Sequence, residues 1–170
     1  MYYSGYSNYD TANGEGIRVS LFVSGCTLHC KGCFNREAWS FTNGKVFNKD
    51  MVDRILKDLE PDYIDGLSIL GGDPFEEKNQ FPVLYLITKI RERFGDTKTI
   101  WVWTGRLRHQ VMNEPIYQNI DCLIDGPFVE KKKVIGQYYG SSNQKIWRIN
   151  NERTARETEW IPQAVTYKKD

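Results

Sequence analysis

Four short apolar runs, each closed by glycine, constrain this chain more than any other feature. Ile17–Val23 runs to Gly25, Leu67–Leu70 to Gly71-Gly72, Thr99–Trp103 to Thr104-Gly105, and Ile120–Ile124 to Asp125-Gly126-Pro127. Runs this apolar and β-branched mark strands buried on both faces, the habit of parallel sheets. Two helical patterns separate them. Asn48–Glu60 places Val52, Ile55, Leu56 and Leu59 on one face, with Asn48 as N-cap and Pro61 beyond the end. Val83, Ile87, Ile90 and Phe94 recur at helical spacing, and Gly95 stands where a C′ residue belongs. This alternation predicts right-handed βαβ units, with all four turns on one sheet edge around one ligand. A complete eight-stranded barrel needs about 250 residues. A chain of 170 residues therefore predicts an α/β fold: a partial, open (βα) barrel of parallel strands with helices on the outside. It is expected to be a single domain over 1–170, with the tail from about residue 162 disordered.

The first turn carries three of the four cysteines, as Gly25-Cys26-Thr27-Leu28-His29-Cys30-Lys31-Gly32-Cys33. Cysteines clustered this tightly read as metal-binding or catalytic, not as a disulfide framework. Thiolates suit iron–sulfur clusters and zinc. A cubane cluster has four irons, so three local thiolates leave one iron open to a ligand. The competing reading is a structural Cys₃His zinc site with His29 or His109 as fourth ligand, although such sites usually pair their ligands in two separated groups. His29, adjacent to Cys30, suits a polar surface role better, and Cys122 reads as a small buried hydrophobe in a strand.

Gly71-Gly72-Asp73-Pro74 follows the second strand. It reads as a tight strand-to-helix turn, or as a place where backbone approaches a ligand closely. Lys131-Lys132-Lys133 reads as a solvated face, with docking of a partner as the second option. Lysine plus arginine number 23 against 22 acidic residues, so charge gives no case for a nucleic acid or a membrane surface. Met1–Tyr9 lacks the basic and apolar regions of a secretory signal, and the longest apolar run, Val83–Ile87, cannot span a bilayer. A cytoplasmic location is expected.

With these residues in view, the chain resembles the radical S-adenosylmethionine (SAM) superfamily, whose signature is C-x₃-C-x₂-C in a loop after the first strand. More closely, it resembles the activating enzymes of anaerobic (class III) ribonucleoside-triphosphate reductases. That likeness rests on Asp10 through Arg18, Gly25 through Asn35, Gly71-Gly72-Asp73-Pro74, Trp101-Val102-Trp103-Thr104-Gly105, Asp125-Gly126-Pro127-Phe128 and Gly140-Ser141-Ser142-Asn143-Gln144. Together these span most of residues 10–145, in family order.

The resemblance implies a [4Fe–4S] cluster on Cys26, Cys30 and Cys33 and SAM chelated to the open iron. It implies that Gly32, Phe34, Asn35, Gly71, Gly72, Asp73, Pro74, Thr104 and Gly105 surround that cofactor. The implied reaction is oxidoreductive: the reduced cluster cleaves SAM to a 5′-deoxyadenosyl radical, which generates a glycyl radical on the large reductase subunit. An electron donor such as flavodoxin is implied as a second partner. No separate acid–base pair is found, and none is required where a cofactor carries the chemistry. A partial barrel is expected to expose the cluster edge sideways and admit a glycine-bearing loop of a large protein.

Three positions depart from the family pattern. Asp73 stands where glutamate is common, Gly32 where the superfamily prefers an aromatic residue, and Arg106 where tyrosine is expected. Glycine at position 32 is the variant of the reductase activases. Arg106 can contact a carboxylate or phosphate, but a solvated loop arginine is the commoner case. The alternatives are another small radical SAM enzyme (a different glycyl-radical activase, or one resembling carboxy-deazaguanine synthase) and a non-enzymatic zinc- or cluster-binding module.

Overall fold

The computed structural model describes residues 1–149 and the backbone of 158–160. The tail expected to be disordered from about residue 162 lies outside the described residues. Among the described residues, eight strands form one sheet in the order β3-β1-β2-β4-β5-β6-β7-β8. Its centre is the predicted parallel unit: β2 (Arg18–Val23), β4 (Gly66–Gly71), β5 (Thr99–Trp103) and β6 (Cys122–Asp125). The flanks differ from the all-parallel expectation. On one side β1 (Tyr2–Asp10) runs antiparallel to β2, and β3 (Lys45–Val46) pairs with β1. On the other, β7 (Lys145–Arg148) and β8 (Thr158–Trp160) continue antiparallel from β6. The result is a mixed α/β sheet.

Period-two alternation divides the sheet into two unlike faces. Val19, Leu21 and Val23 of β2, Leu67 and Ile69 of β4, Ile100 and Val102 of β5, and Leu123 of β6 form one core with the helices. Helix α1 (Lys49–Asp58) contributes Met51, Val52, Ile55 and Leu56. The Asn48 side-chain oxygen Oδ1 caps it, accepting from the Met51 N–H at 3.1 Å. Helix α2 (Glu77–Phe94) contributes Val83, Leu86, Ile87 and Ile90 and stops at Gly95, whose N–H donates to the Arg91 carbonyl at 2.9 Å. Burying each such aliphatic side chain contributes roughly 1.5–3 kcal/mol, so this face carries most of the fold's stability.

The opposite face is smaller and mixed. Trp101, Cys122, Ile124 and Ile146 pack under Trp103, Tyr138 and Tyr139. Arg18 lies among them, 1% exposed. Its guanidinium donates to the Ser68 hydroxyl, to the Leu67 carbonyl and to both oxygens of Thr99, at 2.7–2.9 Å, tying β2 to β4 and β5. Burial lowers its pKa to about 10. Between β5 and β6 comes the one-turn helix α3 (Arg108–Val111). The segment from β6 to β7 folds back over the mixed face, held by Val134 N–H donating to Gly140 and Ser142 N–H to Lys132.

Candidate active site

The C-terminal ends of β2, β4, β5 and β6 meet at a single cavity of about 460 Å³. Cys26, Cys30 and Cys33 line it, together with Gly71-Gly72, Thr104-Gly105 and Gly126. The four glycine turns thus share one ligand-sized space, as the strand pattern predicts.

The cysteine loop is fixed at both ends by backbone hydrogen bonds. Gly25 N–H donates to Ala38 O at 2.7 Å, Cys26 N–H to Trp39 O at 3.2 Å, and Cys33 N–H to Cys30 O at 3.1 Å. The turn after β4 packs directly on it, through Asp73 N–H to Gly25 O at 2.8 Å. Two glycines permit this approach. Gly25 has φ +104° and a Cβ there would lie 2.2 Å from the Phe41 ring; a Cβ on Gly72 would lie 2.4 Å from Gly25 O. Among the described residues no three His, Cys, Asp or Glu side chains converge so that they could hold one metal ion. The three thiols line one cavity, and thiolates are ligands suited to an iron–sulfur cluster. His29 is exposed and stacks on Trp39, and His109, also exposed, is not part of the lining.

Burial pushes the Cys26 thiol up to about 11, with the nearby Asp73 charge adding to the effect and backbone N–H groups of Leu28 and His29 opposing it. A thiolate at this position is therefore disfavoured unless a positive charge lies beside it. Cys122 is 1% exposed, its thiol raised to about 12 by burial, and it stands outside the cavity lining.

Ten of the twelve anticipated site residues line the cavity: the three cysteines, Gly32, Phe34, Asn35, Gly71, Gly72, Thr104 and Gly105. Asp73 and Pro74 stand behind that lining. Asp73 is fully buried, and its oxygens accept from Phe75 N–H at 2.9 Å, from the Thr104 hydroxyl at 2.8 and 2.9 Å, and from Gly105 N–H at 3.1 Å. These bonds occupy the carboxylate. Asp73 locks the β5 turn to the β4 turn instead of reaching the cavity. Arg106 is not the solvated loop arginine that base expectation favours. Its Nη2 lies 3.3 Å from Glu76 Oε1, and Glu76 also accepts from the Thr27 N–H and hydroxyl at 2.8 and 2.7 Å.

Residues that sequence reasoning left outside the site include Trp39, Trp103, Phe128, Tyr138, Tyr139 and Gln144. Gln144 pins the far wall: its Oε1 accepts from Gly140 and Ser141 N–H groups, and its Nε2 donates to Gly126 O at 2.9 Å. The Gly140–Gln144 run was the available signal, but no local pattern says that it folds against the β6 turn.

A protein-family model described as a 4Fe-4S single cluster domain matches residues 12–147. The anaerobic ribonucleoside-triphosphate reductase-activating protein of Vibrio cholerae is 39% identical over 154 residues, covering 88% of this chain and 99% of the relative. Its Escherichia coli K12 counterpart is 40% identical over 155 residues, with the same two coverages. The phage T4 protein of that name is 36% identical over 138 residues, 81% of this chain and 88% of the relative.

This chain belongs to the family of anaerobic ribonucleoside-triphosphate reductase-activating proteins.

No solved structure gives a significant match. Family membership accords with a cavity lined by three thiols at one edge of the sheet. Among the described residues no helix is long and apolar enough to cross a membrane.

Proposed function

We propose that the chain is a radical SAM activase that generates a glycyl radical on an anaerobic ribonucleotide reductase. The observation that carries this reading is the shared cavity: three thiols at the end of β2 face Gly71-Gly72 and Thr104-Gly105 across one space. Cys26, Cys30 and Cys33 hold a [4Fe–4S] cluster, and SAM fills the space beside it. A cluster held by these three thiolates would supply the electron for reductive cleavage of SAM, and so the oxidising power to take hydrogen from the partner's glycine.

The chain's own residues do the rest. Backbone groups of Gly71 and Gly72 receive the amino-acid end of SAM, because nothing projects from either glycine to keep it away. Asp73 keeps Thr104 and Gly105 at the cavity edge. Gly32, Phe34 and Asn35 border the cluster side, and Pro74 sets the direction in which the chain leaves toward α2. Tyr138, Tyr139 and Trp103 form the wall that excludes water from a reactive radical. The whole is one domain, a partial and open (βα) barrel, and the open side is where the reductase's glycine enters. A flavodoxin-like protein donates the electron, and the reaction takes place in the cytoplasm.

The test is anaerobic reconstitution with iron and sulfide, reduction, and addition of SAM and the large reductase subunit. The expected result is a brown protein and a doublet glycyl-radical signal in electron paramagnetic resonance. Serine at Cys26, Cys30 or Cys33 abolishes the signal, whereas serine at Cys122 preserves it. A colourless protein with stoichiometric zinc, or a reducible cluster that yields no doublet, refutes the reading.

A further inference from the structure

The mouth of the cavity combines two features that the chemistry inside does not use. One is exposed apolar surface. Phe34 is 82% exposed and Ile135 91% exposed, with Leu28 also exposed. Phe34 and Leu28 line the cavity itself, and Ile135 follows Val134, which also lines it. The other feature is positive charge. Lys131, Lys132 and Lys133 are all exposed, and none forms an ion pair among the described residues. Lys133 lines the cavity. The turn that carries the lysines abuts the cysteine loop, since a Cβ on Gly32 would come within 2.7 Å of the Glu130 side chain. Basic turn and cysteine loop thus form adjoining lips of one opening.

We infer that this rim is the docking surface for an acidic segment of the protein substrate, flanking the glycine that enters the cavity. This rests on the activase reading above. Exposed apolar anchors beside lysines without an ion pair suit a peptide that carries both a hydrophobic side chain and carboxylates. A nucleic acid fits less well: the chain's formal net charge is only +1, and phosphate backbones are bound by broader basic stripes without exposed aliphatic anchors. The lysines steer the encounter and set its register, while Ile135 and Phe34 supply the buried contact once docked.

The experiment measures binding of the reconstituted protein to its large reductase subunit by anaerobic biolayer interferometry at low and moderate salt. Wild type is compared with the double variant Lys131→Glu/Lys132→Glu, with Lys131→Arg/Lys132→Arg, and with Ile135→Ser. Charge reversal is expected to weaken binding by roughly tenfold at low salt, chiefly through the association rate, and to flatten the salt dependence. The arginine variant should bind like wild type. Ile135→Ser should weaken binding at both salt concentrations without changing the melting temperature. Iron content and SAM cleavage in the absence of reductase are read in parallel and should be unchanged in all three. Charge reversal that leaves affinity and salt dependence intact overturns the inference. Failure of wild type to bind the reductase or to form a glycyl radical instead overturns the activase reading, so the two failures are distinguishable.

Discussion

Removing the Glu76 carboxylate should loosen the cysteine loop by a measurable amount. Glu76 is 6% exposed at the start of α2, and its Oε1 accepts both the N–H and the hydroxyl of Thr27, the residue that follows Cys26. Arg106, with 31% of its side chain exposed, completes the ion pair from the β5 turn. Glu76→Ala deletes two hydrogen bonds to a charged acceptor, each worth about 1.5–3 kcal/mol when water is excluded. Thr27 is exposed, and Arg106 can turn outward, so both rehydrate. Partial recovery of this kind brings the expected net loss to about 2 kcal/mol. In a domain of this size that lowers the melting temperature by roughly 4–8 °C. Glu76→Gln keeps an acceptor for Thr27 and loses only the charge pairing, so its shift should be about half as large. The assays are thermal unfolding of the apo-protein under anaerobic conditions and the rate at which a chelator strips iron from the reconstituted protein. Faster stripping in the order Ala, Gln, wild type is expected. A Glu76→Ala protein that melts within a degree of wild type and releases iron at the same rate would refute the argument.

Burial raises the Asp73 carboxyl to about 6 from an ordinary 3.8, against opposing hydrogen bonds from Phe75, Thr104 and Gly105. The native state therefore holds this proton more tightly than the unfolded chain, so the contribution is complete below the unfolded value and is lost as pH rises through about 6. Two pH units correspond to about 3 kcal/mol, and the stability difference between wild type and Asp73→Asn should change by that order between roughly pH 4 and pH 7 in urea titrations. A constant difference across that range would contradict it. Gly72→Ala should force the β4 turn off the cysteine loop, since its Cβ would sit 2.4 Å from Gly25 O. A loss of about 1–3 kcal/mol in urea unfolding is expected, with reduced iron retention, and an unchanged midpoint would show that the turn yields freely.

The parallel centre of the fold was legible because both faces of β2, β4, β5 and β6 are buried, and burial on both faces writes itself as an apolar run. Helix α1 was legible for the same reason, with Asn48 marking its start. The antiparallel flanks were not. Tyr2–Asp10 reads YYSGYSNYD, with no apolar alternation, and is a strand because β2 offers it a partner. Lys45–Val46 is too short to leave a pattern. In the site, the cysteines and glycine turns announced themselves, since thiol spacing and strand-end glycines are local features. The carboxylate braces did not. Asp73 looked like a ligand-binding residue beside Gly71-Gly72, but its oxygens are taken up by Thr104 and Gly105, about thirty positions away in sequence. Arg106 could be placed only once α2 set Glu76 beside it.

The unequal faces of the sheet explain how such a site can be built in one small domain. Most of the large aliphatic packing, from Val19 to Leu123, lies on the helix side, so the smaller cluster on the other face leaves room for a cavity. The cavity face is held by directional bonds instead: Arg18 across three strands, Asp73 between two turns, and Gln144 between the β6 turn and the wall. Directional bonds fix positions without occupying volume, whereas close-packed side chains would fill the space a ligand needs. On the proposed reading, a site that takes a bulky inorganic cluster, a cofactor and a piece of another protein requires that separation. Arg106, where tyrosine is expected, adds one more such brace: its guanidinium pairs with Glu76, and its backbone N–H donates to the Thr104 hydroxyl.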